Sequence, residues 1–198
     1  TKTIDGTPYT VNRSYDLLGR LTALTYPDGE VASYTYNLQG GIETVTLQPV
    51  SGPTQPIVSD ITYNAAGQLT TIIYGNGTIT DYAYHPQTLR LSSLVTRNSS
   101  LTTLQDFTYS FDPLGNVTGI GDPVHTATQS FQYDALSRLT RATGSYGVST
   151  YVYDPLGNLT AKEGTTLTYG AGPAGPHAAT STSDGLSFTY DANGNLLE

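Results

Sequence analysis

The sequence predicts an all-β protein, an antiparallel meander of repeated β-hairpins that forms a curved strip. Two observations carry this prediction: a turn motif recurs along the chain, and the composition favours strands and turns over helices. The 198 residues include 21 Gly, 11 Pro and 16 Tyr, whereas 37% are hydrophobic and 12% are charged. Tyr and Thr suit strands, Gly and Pro suit turns, and no window of the chain shows a helical period.

The turn motif is clearest at residues 153–160, which read Tyr-Asp-Pro-Leu-Gly-Asn-Leu-Thr. Asp154 can accept hydrogen bonds from backbone N–H groups two residues further on, and Pro155 fixes φ at the second position of a type I turn. Gly157 supplies the left-handed residue that forms a G1 bulge and returns the chain into a strand. The motif therefore predicts a β-hairpin with a three-residue loop.

The predicted hairpin also fixes which side chains share a face. Tyr153 should face Leu159, and Asp154 should face Asn158. Because side chains alternate along a strand, Ala161 is expected on the same face as Tyr153.

The motif recurs, and its copies are separated by about 20 residues in several places, which is typical of a repeat array. Further copies begin at Tyr15, Tyr36, Tyr63, Tyr84, Phe111, Tyr133 and Tyr190. Six copies supply the predicted structural site, the residues that form the turns: Tyr15, Asp16, Gly19, Tyr63, Gly67, Phe111, Asp112, Gly115, Tyr133, Asp134, Tyr153, Asp154, Gly157, Tyr190, Asp191 and Gly194.

A second set of turns lies about halfway between the copies, at residues 26–30, at residues 74–78 and around Tyr146. Turns at this spacing leave short antiparallel strands. We expect strands at 21–26, 30–36, 69–74 and 78–84, and loops at 48–56, 119–126 and 170–177. No loop marks a domain boundary, so residues 1–198 are expected to form a single array.

The predicted sheet is too wide to stay flat. About sixteen strands spaced by ~4.8 Å would span about 80 Å. Open sheets of this width curl, split or close on themselves. The residues alone leave two alternatives, a strip that winds into a shell or a sheet closed into one body.

The motif Tyr-Asp-x-x-Gly-Asn/Arg-Leu-Thr at this spacing resembles the YD repeat of the Rhs family. That family includes bacterial Rhs polymorphic toxins, the shell subunits of insecticidal ABC toxin complexes, and animal teneurins. Residues 175–181, followed by the copy at 190–196, are similar to a late part of bacterial Rhs cores. The resemblance extends over nearly the whole chain and implies a spiral β-strip that forms a hollow shell, of which this chain is a fragment.

The resemblance also implies a function. A segment of such a shell would encapsulate or present a toxin cargo without catalysing a reaction. Its partners would be the remainder of the parent shell and the C-terminal toxin cargo, and the protein would be secreted or associated with the bacterial cell surface. The self-cleaving members of the family carry an Asp-containing protease segment after the array, and this chain shows no matching segment.

The residues themselves offer little chemistry. His85, His125 and His177 are the only histidines, no Cys exists, and no Gly-x-Ser-x-Gly or phosphate-binding motif is present. The Asp residues follow the repeat rather than a site. We therefore predict no catalytic residue, no cofactor-binding residue, no metal ligand and no enzymatic activity. A net charge of −8 argues against nucleic acid as a partner, and no apolar run has the length of a membrane span.

An alternative function is an extracellular binding module that recognises glycans or a cell-surface receptor through exposed Tyr and Asn side chains. Pairs of aromatic residues at positions i and i+2, such as Tyr151 and Tyr153, place two rings on one face of a strand. Such pairs serve packing if the rings are buried in a ladder, and ligand stacking if they line an open groove. An enzyme fragment is a third alternative.

Overall fold

The computed structural model describes residues 1–170 and 175–197. Two compact units divide the chain, Thr1–Thr108 and Tyr109–Glu198. The described residues form β-strands and turns and include no helix, so none that could cross a bilayer.

The strands of the first unit are β1 (Lys2–Ile4), β2 (Thr7–Tyr9), β3 (Asn12–Tyr15), β4 (Leu21–Thr25), β5 (Val31–Tyr36), β6 (Ile42–Gln48), β7 (Gln55–Tyr63), β8 (Leu69–Tyr74), β9 (Ile79–Tyr84) and β10 (Leu91–Arg97). Strand β11 (Thr103–Phe111) contributes to both units. The second unit continues with β12 (Val117–Gly121), β13 (Gln129–Tyr133), β14 (Leu139–Gly144), β15 (Gly147–Tyr153), β16 (Leu159–Lys162), β17 (Thr165–Tyr169) and β18 (Ala179–Thr182).

Strand order follows chain order. Strands β1 and β2 form a separate hairpin, and β3 to β18 are ordered consecutively in a sixteen-stranded sheet whose pairings are antiparallel. The predicted antiparallel meander is confirmed, and the strand order is linear, so the sheet is not closed into a barrel. The expected strands at 21–26, 30–36, 69–74 and 78–84 agree with β4, β5, β8 and β9 to within one residue at each end.

Two of the expected loops differ in their bounds. The loop expected at 119–126 begins later, because β12 extends to Gly121. The loop expected at 48–56 is shorter, since β6 includes Gln48 and β7 begins at Gln55. Part of the loop expected at 170–177, residues 171–174, lies outside the described residues.

The register gives the sheet two different faces. Paired residues share a face, and one face carries the pairs Leu24 with Ala32, Tyr34 with Val45, and Ile61 with Ile72. We call this the tyrosine face. The other, the threonine face, carries the pairs Ser14 with Ala23, Thr35 with Thr44, and Thr62 with Thr71.

The sheet has no deeply buried core among the described residues. Ala32 and Ala142 are the buried hydrophobic residues there, and no large side chain is fully buried. The tyrosine face is therefore half-buried, with its side chains packed mainly against neighbours on adjacent strands. Cross-strand pairs of this kind each contribute roughly 0.2–1 kcal/mol.

The register shifts by one residue next to seven of the turns. Tyr153 pairs with Leu159, but Val152 pairs with Ala161, so Thr160 is the extra residue of a β-bulge. The expectation that Ala161 lies on the face of Tyr153 was wrong, because the bulge moves Ala161 to the face of Val152. Equivalent shifts follow the turns that begin at Tyr15, Tyr36, Tyr63, Tyr84, Tyr133 and Tyr169.

The last residue of the motif occupies the bulge and explains its preference for Thr. The hydroxyl of Thr160 donates to the carbonyl of Val152 at 3.2 Å, and that of Thr140 donates to the carbonyl of Gln132 at 3.1 Å. The hydroxyl thus bonds across the hairpin at the position where the regular ladder is interrupted.

A left-handed residue closes each motif turn. Gly157 has a φ of 93°, and its amide donates to the carbonyl of Asp154 at 3.1 Å. The equivalent residue of another copy is Ser137, with a φ of 58°. A side chain at positive φ costs about 1 kcal/mol or more, so this copy holds a strained residue where most others hold Gly. The copy at Tyr84 is a second exception, with Leu89 at a φ of 56°.

Exchanging these two residue types should change stability in opposite directions. We expect Ser137→Gly to raise the free energy of unfolding by about 1 kcal/mol, and Gly157→Ser to lower it by about the same amount. Urea denaturation followed by circular dichroism measures both. Gly175, which is not left-handed and has open space around it, provides the control Gly175→Ser, for which no change is expected. Equal effects at positions 157 and 175 would contradict the turn assignment.

Candidate functional site

The motif turns are held by the side chain of their second residue. In the first copy, Oδ1 of Asp16 accepts hydrogen bonds from the backbone N–H groups of Leu18 and Arg20, both at 2.9 Å. These bonds satisfy loop amides that have no strand partner, as Asp and Asn do in Asx-turns. Carboxylate or amide oxygens accept backbone N–H bonds in the same way at Asn37, Asn64, Asp112, Asp134, Asp154 and Asp191.

The second carboxylate oxygen is bonded by the side chain that follows the left-handed residue. Nε of Arg20 donates to Oδ2 of Asp16 at 2.7 Å, and Nδ2 of Asn158 donates to Oδ2 of Asp154 at 2.8 Å. The same bond joins Asn116 to Asp112, Arg138 to Asp134, and Asn195 to Asp191. The preference for Asn or Arg at this motif position follows from it.

The same Asn, Arg or Gln side chain also reaches the next turn along the edge. Nη1 of Arg138 donates to the carbonyl of Asp154 at 3.2 Å, and Nδ2 of Asn158 donates to the carbonyl of Pro176 at 3.0 Å. Further bonds of this kind join Gln68 to the carbonyl of Leu89 and Asn116 to the hydroxyl of Ser137. In the second unit these bonds link the turns from Asn116 to Pro176 into a row, and in the first unit one such bond joins two turns.

The first residue of the motif links copies through its hydroxyl group. The hydroxyl of Tyr153 donates to the backbone carbonyl of Leu139, which opens the strand after the preceding motif turn, at 3.0 Å. Tyrosine–carbonyl bonds of this type, between 2.7 and 2.9 Å, join Tyr36 to Leu21, Tyr63 to Ile42, Tyr84 to Leu69, Tyr133 to Val117, Tyr169 to Leu159 and Tyr190 to Ala179.

Except for Val117, each accepting carbonyl belongs to a residue that directly precedes a bulge. A bulge disrupts the ladder locally, and a half-buried carbonyl without a partner would be costly. The tyrosine of the following copy supplies that partner. In two copies an arginine also lies over the ring, with the guanidinium carbon of Arg20 4.5 Å from the ring centre of Tyr36 and that of Arg138 4.7 Å from that of Tyr153.

Hydrogen bonding holds the pKa of the motif carboxylates below their usual value. For Asp16 and Asp134, the largest cause of the lowered pKa is a hydrogen bond from the backbone N–H of the arginine four residues later. For Asp112 and Asp191, the largest cause of the lowered pKa is a hydrogen bond from the side-chain amide of the Asn four residues later. Burial alone would raise the pKa of Asp154, but bonds from Asn158, Leu156 and Gly157 together lower it. These carboxylates stay ionised and serve as acceptors, so they are poor candidates for general acids.

The pKa of three motif-type tyrosines is shifted upward, in the direction opposite to that of the carboxylates. Burial raises the pKa of Tyr84, Tyr133 and Tyr169 above the usual tyrosine value, and the Asp112 carboxylate adds to this at Tyr133. A raised pKa keeps the hydroxyl protonated, as a hydrogen-bond donor to a carbonyl must be.

Two of the three histidines bond within their own turn, and His177 bonds to the motif turn that begins at Asp154. Nδ1 of His177 lies 2.7 Å from Oδ1 of Asn158, and Nδ1 of His125 lies 3.0 Å from both carboxylate oxygens of Asp122. Nδ1 of His85 lies 3.3 Å from the backbone nitrogen of Thr88. In residues 1–170 and 175–197, no three His, Asp or Glu side chains cluster closely enough to hold a metal ion.

The first unit contains a groove of about 760 Å³ beside two motif turns. Its polar lining comes from Asn37, Gln39, Glu43, Asp60 and Asn64, together with Tyr63. Glu43 occupies the bulge position, where most other copies have Thr. The ring of Tyr63 packs closely over Gly41, where an added Cβ would lie 2.9 Å from a ring carbon.

Sequence reasoning missed one member of the site. Tyr169 behaves as a motif tyrosine, since its hydroxyl bonds to the carbonyl of Leu159 and it pairs with Ala179 before a bulge at Thr180. The residues after Tyr169 do not spell the motif, because Gly170 takes the place of Asp. The sequence retained one sign of this copy, since Ala179-Thr180 occupies the positions that Leu-Thr occupies in the motif.

Removing one tyrosine hydroxyl should weaken the sheet measurably. We expect Tyr153→Phe to lower the free energy of unfolding by about 1 kcal/mol, because the ring is kept while the bond to Leu139 is lost. Tyr15→Phe is the control, since the hydroxyl of Tyr15 has no protein partner among the described residues and the side chain is 57% exposed. Urea denaturation of both variants checks this, and equal losses at the two positions would contradict it.

The lowered pKa values predict sensitivity to acid. A carboxylate whose folded-state pKa lies below its unfolded value adds stability above the unfolded pKa of about 4, and this contribution disappears as pH falls through the folded-state pKa. We therefore expect stability to fall as pH decreases from about 5 to 3. A variant with Asp112→Asn, Asp154→Asn and Asp191→Asn should show a shallower loss, because the amide oxygen still accepts backbone bonds. If the stability of this variant depended on pH as that of the unmodified chain does, ionised motif carboxylates could not be the cause of the acid sensitivity.

Several solved structures resemble this chain. The crystal structure of TcdB2-TccC3-Cdc42 is 25% identical, with a TM-score of 0.78, over 95% of this chain and 12% of that chain. The crystal structure of TcdB2-TccC3 without its hypervariable C-terminal region has a TM-score of 0.77, with the same identity and coverage. The structure of a Tc holotoxin pore from Photorhabdus luminescens has the same three values. The chain thus spans about an eighth of the length of the structures it matches.

The sequence comparisons agree with the structural ones. No curated protein sequence matches the chain significantly. The RHS Repeat family profile matches residues 15–47, 63–101 and 111–149, which together make up more than half of the chain. Each matched segment begins at the first residue of a motif copy. This chain therefore belongs to the RHS repeat family, and its fold is that of an ABC toxin shell segment.

Proposed function

We propose that this chain is a non-catalytic structural segment of a Rhs-type shell that encloses a toxin polypeptide. Its partners are the remainder of the parent shell and the C-terminal toxin cargo, and residues 1–198 form one array within that shell. The protein acts outside the producing cell or at its surface. The solved structures that resemble this chain are shell proteins, and we assign the same structural function to this chain. The main observation in favour of this function is the set of tyrosine–carbonyl hydrogen bonds.

The tyrosine–carbonyl bonds support a structural function because they use up the groups that could act chemically. The motif tyrosines donate to backbone carbonyls, and the motif carboxylates accept loop amides. Catalysis needs several such groups to converge on one cavity with tuned pKa values. Here they are distributed one set per turn, which suits a wall better than an active site.

The threonine face supports enclosure of a polypeptide. Its paired residues near the motif turns are mostly hydroxyl-bearing, and some hydroxyls bond to each other, as in Thr35 with Thr44 at 2.7 Å and Thr62 with Thr70 at 2.8 Å. Hydroxyls that already bond to each other offer few strong contacts to a chain lying beside them. The same face also carries the carboxylates of Asp60, Asp81 and Asp106. The similar structures described with TccC3, with and without its hypervariable C-terminal region, fit a shell that contains a variable segment.

Protease protection in the full-length parent protein tests enclosure. We expect the C-terminal toxin polypeptide to resist protease in native buffer, and to become sensitive at the urea concentration at which the shell unfolds. Tyr153→Phe should lower both midpoints together, whereas Tyr15→Phe should leave both unchanged. Cleavage of the toxin polypeptide in native buffer at the rate of the isolated polypeptide would rule out enclosure.

The groove beside Tyr63 favours glycan binding as a second candidate function. Amide and carboxylate side chains with one aromatic ring are the groups that bind sugar hydroxyls and ring faces. If this function holds, saccharide binding in calorimetry should be lost in Glu43→Thr, which restores the usual motif residue, and kept in Leu136→Ser, a turn-tip change in the other unit. Absence of saccharide binding by the unmodified chain would remove this candidate.

A further inference from the structure

One motif turn is capped by a histidine where the others have Asp or Asn. In the copy that begins at Tyr84, His85 occupies the position of the capping residue, and its Nδ1 accepts a hydrogen bond from the backbone N–H of Thr88 at 3.3 Å. An imidazole nitrogen accepts a hydrogen bond only while it carries no proton. This turn therefore requires a neutral His85 ring with its proton on Nε2.

The caps of the other motif turns keep their charge near neutral pH. Among the described residues they are two amides, which do not titrate, and five carboxylates with a lowered pKa, which stay ionised: Asn37, Asn64, Asp16, Asp112, Asp134, Asp154 and Asp191. Histidine is the side chain type whose ordinary pKa lies between pH 5 and 8. Of these caps, a decrease from about pH 7.5 to about pH 5.5 therefore acts on His85 alone.

The other two histidines bond through a ring nitrogen that donates. Nδ1 of His125 lies 3.0 Å from both carboxylate oxygens of Asp122, and an ionised carboxylate only accepts. His177 faces Oδ1 of Asn158, because Nδ2 of Asn158 already donates to two other acceptors. A second ring proton leaves both of these bonds in place. Protonation therefore opposes the local structure at His85 and not at the other two histidines.

The turn at His85 also differs in its backbone. The amide of Leu89 donates to the carbonyl of His85 four residues earlier, whereas in most copies the left-handed residue bonds three residues back, as Gly157 does to Asp154. Leu89 has a φ of 56°, so a branched side chain stands in the region that Gly occupies in most copies. Strain of this kind persists only while the surrounding structure holds it. The bond from Thr88 to His85 is one of the contacts that hold it.

The charged groups around His85 in the first unit do not favour a proton on its ring. The motif turn beside it, residues 64–68, contains no titratable side chain. Arg90 belongs to the same turn as His85, so protonation places a second positive charge in that turn. The ion pair of Asp81 with Arg97 lies further along β9 and β10. Neither of these two turns contains a carboxylate that would stabilise the imidazolium.

We propose that His85 is a pH-sensitive switch, which holds the turn between β9 and β10 closed while it is neutral and releases the turn when it is protonated. Release also frees the bond from Nε2 of Gln68 to the carbonyl of Leu89 at 2.7 Å, which joins this turn to the preceding motif turn. One defined place in the array loosens, while the turns capped by Asp or Asn stay closed. The switch is a property of the array alone and needs no enclosed cargo.

Amide hydrogen exchange followed by NMR tests the switch in the unmodified chain. Protection of each amide is measured relative to an unstructured peptide at the same pH. We expect the protection of the Thr88 amide to fall several-fold between about pH 7.5 and about pH 5.5, and that of the Leu18 amide, which donates to Asp16, to stay unchanged. An unchanged Thr88 amide, or an equal fall at both amides, would overturn the proposal.

Two variants separate His85 from the other histidines. His85→Asp restores the usual cap, so the Thr88 amide should then keep its protection over the same pH range. The matched control His125→Gln removes a histidine that donates, and the fall at Thr88 should persist. A fall that persists in His85→Asp, or that disappears in His125→Gln, would contradict the assignment to His85.

The ring nitrogen chemical shifts of the unmodified chain give a test that requires no variant. At about pH 7.5 we expect the neutral ring of His85 to carry its proton on Nε2, and that of His177 to carry it on Nδ1. The two tautomers are distinguished by the ¹⁵N shifts of the two ring nitrogens. A His85 ring with its proton on Nδ1 could not accept the bond from Thr88 and would overturn the proposal.

Discussion

The hydrogen bond from a motif tyrosine to the carbonyl before the preceding bulge is the interaction on which the repeat depends. The motif turn ends in a left-handed residue and is followed by a bulge, which takes one residue out of the regular ladder. The bulge follows from the tight turn and interrupts the hydrogen bonds of the ladder. The tyrosine of the next copy donates a hydrogen bond to the carbonyl beside that interruption. Most copies are therefore completed by the tyrosine of their successor, which explains why the motif occurs as an array. The copy at Tyr84 is an exception, because the next copy begins with Phe111, which has no hydroxyl.

The same dependence explains how a sheet without a deep core holds together. No large side chain is fully buried among the described residues, so the usual contribution of a packed interior is small. Instead, each hairpin gains tyrosine–carbonyl bonds, turn-to-turn bonds such as that from Arg138 to Asp154, and half-buried pairs on the tyrosine face. These contacts run between neighbours, as in other repeat proteins, where stability is a sum of local and nearest-neighbour contributions.

The turns and strands were predictable from the sequence because turn chemistry is local. Asp154, Pro155 and Gly157 each have one structural task within four residues, and the strands then follow from the spacing. What could not be predicted depends on register between strands. The bulge at Thr160, which moved Ala161 to the other face, and the acceptor of the Tyr153 hydroxyl are both fixed by pairing. Tyr169 was not predicted because it makes the tyrosine–carbonyl bond although the residues after it do not match the motif.

The exchange of tyrosine hydroxyl protons, followed by NMR, tests the central claim most directly. If the bonds couple successive copies, the hydroxyl protons of Tyr36, Tyr63, Tyr84, Tyr133, Tyr153, Tyr169 and Tyr190 should exchange slowly enough to be observed, and each should show a cross-peak to the strand that accepts it. The hydroxyl proton of Tyr15 should exchange too fast to detect. Exchange at one common fast rate for all of these tyrosines would contradict the account, because the copies would then be held by packing alone.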